Sequence, residues 1–193
     1  MAENMAENTT ENIPESNPHP TIPLGKSGLH ISPLGLGAWA WGDRVFWGYG
    51  RGYQEQDVAQ AFQVSLQGGV NWIDSAEVYG LGTSERLLGR FIKELDGAGP
   101  DVVVATKWLP ILRTAGNIPR SIDRRLEALD GYPISTYMIH QPWSLSTPEA
   151  EMEALAGRVK AGKIRSAGVS NFDAERMKRA SDTLGTGVAR LAA

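Results

Sequence analysis

Residues 102–107 read Val-Val-Val-Ala-Thr-Lys, a short run of apolar and β-branched residues that ends in a charged one. Such a run is typical of a strand covered on both faces, as in a parallel sheet with helices packed against it. Lys107 closes this predicted strand, and the residues on either side of it repeat the pattern.

Polar residues close the neighbouring apolar runs at a constant interval. Asp74 precedes Lys107 by 33 residues, and His140 follows Lys107 by 33 residues. The same interval counted back from Asp74 reaches Trp41, and a further run ends at Ser170, 30 residues after His140. This length suits one strand and one helix, so the sequence predicts about five βα units.

The remaining pattern predicts alternating strands and helices joined by short loops. Strands are predicted over residues 34–41, 70–75, 102–107, 136–140 and 164–170. Helices are predicted over about 55–68, 84–95, 118–129, 147–161 and 173–184. Before the first strand, residues 23–31 predict a short hairpin that turns at Lys26-Ser27-Gly28. The alternation favours a parallel α/β fold.

Two parallel architectures fit this alternation. A doubly wound sheet calls for a glycine-rich phosphate turn after its first strand, and Ala38-Trp39-Ala40-Trp41-Gly42 is no such turn. A (β/α)8 TIM barrel places polar groups at the carboxyl ends of its strands, as here. Such barrels take about 200–250 residues. We therefore expect an incomplete barrel over residues 21–193, in which residues 185–193 can begin a sixth strand but cannot complete it.

Residues 1–20 have a different composition from the rest of the chain. They hold four Glu, three Pro and no Lys or Arg, and they repeat Met-Ala-Glu-Asn. Too little apolar surface is present to offset the entropy of ordering, so we expect a disordered acidic leader. The leader has neither the apolar stretch of a secretory signal nor the arginines of a transit peptide. A cytoplasmic location is therefore expected.

The overall composition excludes several classes of protein and site. The chain has no Cys and only three His, which excludes disulfide scaffolds and argues against a metal site. Its net charge of −3 gives no electrostatic signature of nucleic-acid binding. No apolar run is long enough to span a membrane. Neither nucleic acid nor a membrane is therefore an expected partner. The small-molecule carbonyl substrate that is expected instead rests on the polar residues at the strand ends, while the oligomeric state stays open.

Four polar residues would converge at the mouth of such a barrel: Asp74, Tyr79, Lys107 and His140. An ammonium group beside a phenol favours loss of the phenolic proton, and a carboxylate holds the ammonium charged and in place. A neutral imidazole can donate a hydrogen bond to a carbonyl oxygen. Such a group suits reduction of a carbonyl by hydride, if a reduced nicotinamide supplies the hydride.

Each of these residues also has a purely structural interpretation. His140 alone would read as a core histidine, Asp74 and Lys107 as a structural ion pair, and Tyr79 as a packed loop aromatic. Ser170-Asn171 is as consistent with a helix cap as with a role at a cofactor. Three tryptophans can either line a substrate mouth or pack between layers: Trp41, Trp108 and Trp143. Three arginines are expected on a solvated helix face: Arg120, Arg124 and Arg125.

The chain resembles the aldo-keto reductase family over about residues 22–184. The resemblance rests on six motifs in order: Leu34-Gly35-Leu36-Gly37-Ala38-Trp39, Trp72-Ile73-Asp74-Ser75-Ala76-Glu77-Val78-Tyr79-Gly80, Ser84-Glu85-Arg86-Leu87-Leu88-Gly89, Ala105-Thr106-Lys107, Ile139-His140-Gln141-Pro142 and Gly168-Val169-Ser170-Asn171-Phe172. It implies a (β/α)8 barrel that reduces an aldehyde or ketone to an alcohol with NADPH.

The resemblance also implies roles for individual residues. Tyr79 would be the general acid, Lys107 would tune it, Asp74 would hold Lys107, and His140 would orient the substrate carbonyl. The residues implied at the cofactor are Trp39, Asp74, Ser170 and Asn171.

The tryptophan-rich segment 37–49 looks most like plant and cyanobacterial members, some of which resemble pyridoxal reductases. Family features of the later strands have no match in this chain: a Gln under the nicotinamide, a Tyr stacking on it and a basic loop for the 2′-phosphate. Two alternatives therefore stay open beside the reductase, namely a non-catalytic cofactor-binding or accessory module and an inactive fragment of a reductase.

Overall fold

The computed structural model describes residues 20–97, 101–185 and 191–192. The prediction of a disordered leader falls on residues 1–20, of which 1–19 lie outside these ranges. The strands are β1 (Ile22–Pro23), β2 (His30–Ile31), β3 (Gly35–Gly37), β4 (Trp72–Asp74), β5 (Val103–Trp108), β6 (Ile134–Ile139), β7 (Ile164–Val169) and β8 (Leu191–Ala192).

One sheet carries the fold, and its strands follow one another in chain order. It runs β3-β4-β5-β6-β7-β8, and every neighbouring pair is parallel. A doubly wound sheet would instead reverse direction at a switch point near its centre. Right-handed crossovers between successive strands place all helices on one face and leave the other face inside an arc. The predicted barrel-type α/β fold is thereby confirmed.

Among the described residues, five α-helices connect the strands, each within one residue of its predicted bounds: α1 (Glu55–Gln67), α2 (Thr83–Glu94), α3 (Ile118–Ala128), α4 (Pro148–Lys160) and α5 (Ala174–Gly185). Local capping explains the starts of two of them, α1 and α4. Gln54 and Asp57 form a capping box at α1, and the Thr147 side chain accepts from the Ala150 amide at α4. Within the described ranges, no helix is long and apolar enough to cross a membrane.

The first predicted strand is longer than the observed one. Strand structure covers Gly35–Gly37, whereas residues 34–41 were predicted. The amide of Ala38 still reaches the Asp74 carbonyl at 2.8 Å, but the Trp41 amide turns back to the Ala38 carbonyl. An apolar run that folds into a turn cannot be distinguished from a strand by hydropathy alone.

The predicted hairpin forms and packs against one end of the sheet. β1 and β2 pair antiparallel, and Leu24 and Leu29 of the turn are buried against Val103. The Ser32 amide donates to Asn71 Oδ1 at 2.7 Å, which ties the hairpin to the residue that precedes β4. The hairpin therefore covers the amino-terminal end of the strands and leaves their carboxyl ends free.

The main core lies between the sheet and the helices. Its largest fully buried side chains include Phe62, Ile73, Leu88, Ile122 and Tyr137. Along β5 the side chains alternate, as they must in a strand. Val103 packs toward the hairpin, while Val104 belongs to the core under the helices.

The predicted beginning of a sixth strand is also present. β8 pairs parallel with β7, with Leu191 opposite Ala167 and Ala192 opposite Gly168. The sheet therefore continues in the same direction and order beyond the fifth unit, as a singly wound barrel requires.

The close approach of α2 to the end of α3 yields a prediction about stability. A Cβ at Gly89 would lie 2.5 Å from the carbonyl carbon of Leu129, whereas a Cβ at Gly157 in α4 would meet nothing within 4 Å. We expect Gly89→Ala to lower the free energy of unfolding by about 1–3 kcal/mol through overpacking. Gly157→Ala should raise it by about 0.5–1 kcal/mol, because alanine favours the helix.

Urea denaturation of both variants, followed by circular dichroism, measures the difference. Equal stabilities for the two alanine variants would contradict the close packing of α2 on Leu129.

Candidate active site

Lys107 lies at the centre of the candidate site, at the carboxyl end of β5. Its side chain is 6% exposed, and its Nζ lies 2.7 Å from Asp74 Oδ1 and 2.8 Å from Asp74 Oδ2. Nζ also donates to the Ser75 carbonyl at 2.9 Å. A buried ammonium is costly unless it is paired and hydrogen-bonded, and both conditions are met here. The predicted ion pair therefore joins the ends of two adjacent strands.

Tyr79 lies beside the same ammonium. Lys107 Nζ is 3.3 Å from the Tyr79 hydroxyl and 4.9 Å from the centre of its ring. The chain leaves Tyr79 through three successive residues with positive φ, namely Gly80 (53°), Leu81 (53°) and Gly82 (83°). Only glycine adopts this left-handed backbone without steric cost. We call this run the left-handed turn; it fixes the direction in which Tyr79 projects.

His140 follows β6 and packs edge-on against Tyr79, with 5.7 Å between the ring centroids. Burial, together with the nearby positive charge of Lys107, lowers the pKa of His140 below its ordinary value. The ring is therefore neutral at pH 7. Its Nδ1 is buried with no hydrogen-bond partner among the described residues. An unpaired lone pair costs less than an unpaired N–H, which favours the proton on Nε2.

Ser170 and Asn171 follow β7 at the same end of the sheet. Asn171 Nδ2 donates to the His140 carbonyl at 2.8 Å and to Ser170 Oγ at 3.0 Å. Asn171 also has φ of 59°, a conformation that asparagine tolerates better than most residues. The amide therefore locks the exit of β7 onto the exit of β6. No helix-cap hydrogen bond from either side chain is present in the described part of the chain.

Two exposed tryptophans accompany these residues. Trp39 stacks on Tyr79 with ring centroids 6.1 Å apart, and Trp47 packs edge-on against Trp39 at 5.6 Å. Trp143, predicted at the substrate mouth, is 55% exposed in the loop after β6. Its exposure leaves it able to contact a ligand.

The two other tryptophans predicted to line the substrate mouth are buried elsewhere, so that prediction was wrong. Trp41 is 4% exposed and packs edge-on against Phe62 and Phe91 of α1 and α2. Trp108 is 0% exposed. It directly follows Lys107 in β5, and adjacent strand residues point to opposite faces. Since Lys107 faces the inside of the arc, Trp108 must face the helices.

Glu77, a carboxylate to which the sequence interpretation gave no role, supports this site from the helix side of the sheet. Its Oε1 accepts from the Leu109 amide at 2.6 Å and pairs with Arg113, and its Oε2 accepts from Ser121 Oγ at 2.9 Å. Its own amide donates to the Lys107 carbonyl at 3.1 Å. Glu77 thus joins the chain that leads to Tyr79 to the end of β5. Its position between Asp74 and Tyr79 in the sequence is the signal that could have identified Glu77 as a residue of the site.

Arg125 corrects a second expectation. Predicted on a solvated helix face, its side chain is only 16% exposed and lies 3.3 Å from Glu85 Oε2 and 3.6 Å from Glu77 Oε2. Glu85 is fully buried and accepts a hydrogen bond from Thr106 Oγ1 at 2.6 Å. Burial raises the pKa of Glu85 to about 7, although Arg125 opposes the shift.

The raised pKa of Glu85 predicts a specific pH dependence of stability. The folded state holds the proton more tightly than the unfolded state, so stability falls as pH rises from about 4.5 to about 7. Glu85→Gln keeps an acceptor for Thr106 but removes the titration. We expect the variant to lack a loss on the order of 2 kcal/mol between about pH 5 and about pH 8.

Urea unfolding at the two pH values measures this loss, with Glu153→Gln on the exposed face of α4 as the matched control. The assignment to Glu85 fails if its variant retains the same pH dependence as the unmodified chain.

The family model for the "Aldo/keto reductase family" matches residues 33–192. Among curated proteins, the chloroplastic pyridoxal reductase of Arabidopsis thaliana is 35% identical over 170 residues, which cover 82% of this chain and 46% of that protein. The aldo-keto reductase YhdN of Bacillus subtilis is 35% identical over 162 residues, which cover 80% and 47%. The chain therefore spans about half the length of these relatives.

Solved structures match the fold. A glycerol dehydrogenase from Gluconobacter oxydans gives a TM-score of 0.71 at 30% identity, over 89% of this chain and 53% of its own. An aldo/keto reductase from Klebsiella pneumoniae, in complex with NADP and acetate, gives 0.67 at 26% identity, over 85% and 53%. Together with the family match, these likenesses show that the chain belongs to the aldo/keto reductase family.

Proposed function

We propose that this chain carries the acid–base half of an NADPH-dependent reductase that converts an aldehyde or ketone to an alcohol. The observation that carries the proposal is the position of Lys107 Nζ, which bonds Asp74 and lies 3.3 Å from the Tyr79 hydroxyl. A general acid needs a proton on an atom that substrate can reach and a group that promotes its release. Tyr79 and Lys107 meet these two needs.

The proton step uses four side chains in separate roles. Tyr79 donates its hydroxyl proton to the carbonyl oxygen as negative charge develops there. The Lys107 ammonium stabilises the phenolate that remains, and Asp74 holds Lys107 charged and in place. His140, neutral because its pKa is lowered, donates a hydrogen bond that orients the carbonyl.

The residues present fit one end of a nicotinamide cofactor. Asn171 makes both of its hydrogen bonds through Nδ2, which leaves Oδ1 as an acceptor for a carboxamide N–H. Ser170 adds a hydroxyl beside it, Trp39 offers an exposed ring next to Tyr79, and Asp74 lies at the adjoining strand end. When bound, reduced nicotinamide supplies a hydride to the carbonyl carbon.

The relatives support this proposal and narrow the substrates to test. Pyridoxal, the aldehyde in the name of the Arabidopsis relative, is the first substrate to try. An accessory role is the second candidate, because a probable voltage-gated potassium channel subunit beta of Arabidopsis thaliana is 37% identical over 84 residues. That match covers 44% of this chain, half the extent of the reductase matches.

The proposal predicts that Tyr79→Phe abolishes turnover while it leaves cofactor binding intact. The substitution removes the donated proton but keeps the ring that stacks on Trp39. We expect kcat to fall by about 10²–10⁴-fold. Aldehyde-dependent loss of NADPH absorbance measures turnover, and quenching of tryptophan fluorescence measures binding.

Tyr49→Phe is the matched control, since it removes a phenol that packs on Tyr53 outside the candidate site. Saturable NADPH binding without turnover by the unmodified chain would favour the accessory role. Turnover retained in Tyr79→Phe would exclude Tyr79 as the general acid, and no binding at millimolar NADPH would mark the chain as an inactive fragment.

A further inference from the structure

Outside the candidate active site, a cleft of about 440 Å³ opens between the start of α2 and the first turns of α3. We call it the arginine cleft, because five arginines line it: Arg86, Arg113, Arg120, Arg124 and Arg125. Glu77 is the only carboxylate that lines it within the described part of the chain. Asn117 and Ser121 add neutral hydrogen-bonding groups.

Two of the five arginines are already paired at the floor of the cleft. Arg113 bonds Glu77, and Arg125 lies between Glu77 and Glu85. Together the two arginines and the two carboxylates carry two positive charges and at most two negative ones. The floor therefore contributes little net charge, and it holds Arg113 and Arg125 in fixed positions.

The other three arginines have no carboxylate partner in the part of the chain that the structure describes. Among the described residues, no carboxylate oxygen forms an ion pair with Arg86, Arg120 or Arg124, although Asp123 lies on α3 beside them. Arg86 donates to the neutral Thr83 hydroxyl, at 2.9 Å.

Arg120 and Arg124 are also one helical turn apart. Like charges at this spacing destabilise a helix by a few tenths of a kcal/mol. The rim of the cleft thus gathers three like charges that form no ion pair with a carboxylate among the described residues, in a chain whose net charge is −3.

We propose that the arginine cleft binds a small molecule that carries a phosphate or diphosphate group. Planar guanidinium groups present paired donors that match phosphate oxygens, and three of them around one cleft favour a polyanion over a single carboxylate. Its position at the first turn of α3 adds the positive end of a helix dipole. An anion bound here would relieve the repulsion between Arg120 and Arg124.

This site is separate from the proposed nicotinamide position. The left-handed turn after Tyr79 contributes Leu81 and Gly82 to the cleft wall, whereas the four side chains of the proposed proton step do not line the cleft as the structure describes it. Binding of an anion in the arginine cleft does not require that the chain turn over a carbonyl.

Isothermal titration with inorganic diphosphate tests the proposal on the full chain. We expect saturable binding that weakens with added salt, as contacts between exposed charges do. In the double variant Arg120→Gln with Arg124→Gln, affinity should fall at least about 10-fold. Both side chains are exposed, so the substitutions leave the core intact. The matched control is Arg158→Gln with Arg165→Gln, on α4 and at the start of β7.

Each other outcome contradicts a defined part of the proposal. Equal weakening in the two double variants would mean nonspecific attraction, and no binding at millimolar diphosphate would exclude the site. Displacement of diphosphate by NADPH, with the same arginine dependence, would make the cleft part of the cofactor site rather than a separate one. Tighter binding of an acidic peptide than of diphosphate would show that phosphate is not the preferred ligand.

Discussion

The buried ammonium of Lys107 is the constraint on which the rest of the site depends. A positive charge in this position requires a carboxylate within contact distance, and Asp74 on the neighbouring strand provides it. The pairing holds only while β4 and β5 keep their register, in which Asp74 lies opposite Ala105. Burial lowers the pKa of His140, and the same charge lowers it further; the charge also lies against the Tyr79 ring. One ion pair therefore links strand register, proton affinity and aromatic packing.

A second set of charges supports the first from the helix side of the sheet. Glu77 and Glu85 receive Arg113 and Arg125, and their hydrogen bonds reach β5 through Leu109 and Thr106. Because side chains alternate along β5, Lys107 inside and Thr106 outside connect the two sets across one strand. The groups inside the arc are suited to acid–base chemistry. The outer set includes Glu85, whose pKa is raised, and its two arginines line the arginine cleft.

Much of this arrangement could be predicted from the sequence. The 33-residue interval located Asp74, Lys107 and His140 because each βα unit contributes one strand end to a common edge. The burial of Trp108 on the helix side could also be predicted, because its neighbour Lys107 is assigned to the inner face and adjacent strand residues point to opposite faces. Arg125 could not be placed, because an arginine on a helix looks solvated until its partners on other elements are known. Glu77 and Glu85 supply those partners from distant positions.

The left-handed turn after Tyr79 determines when the conformational entropy of aligning the phenol is lost. The positive φ of Leu81 is an unfavourable backbone conformation. This local strain accompanies a single path of the chain after Tyr79. That path sets the direction of the phenol before any ligand arrives. A flexible loop would lose conformational entropy each time a ligand binds. Here that entropy is lost once, when the chain folds.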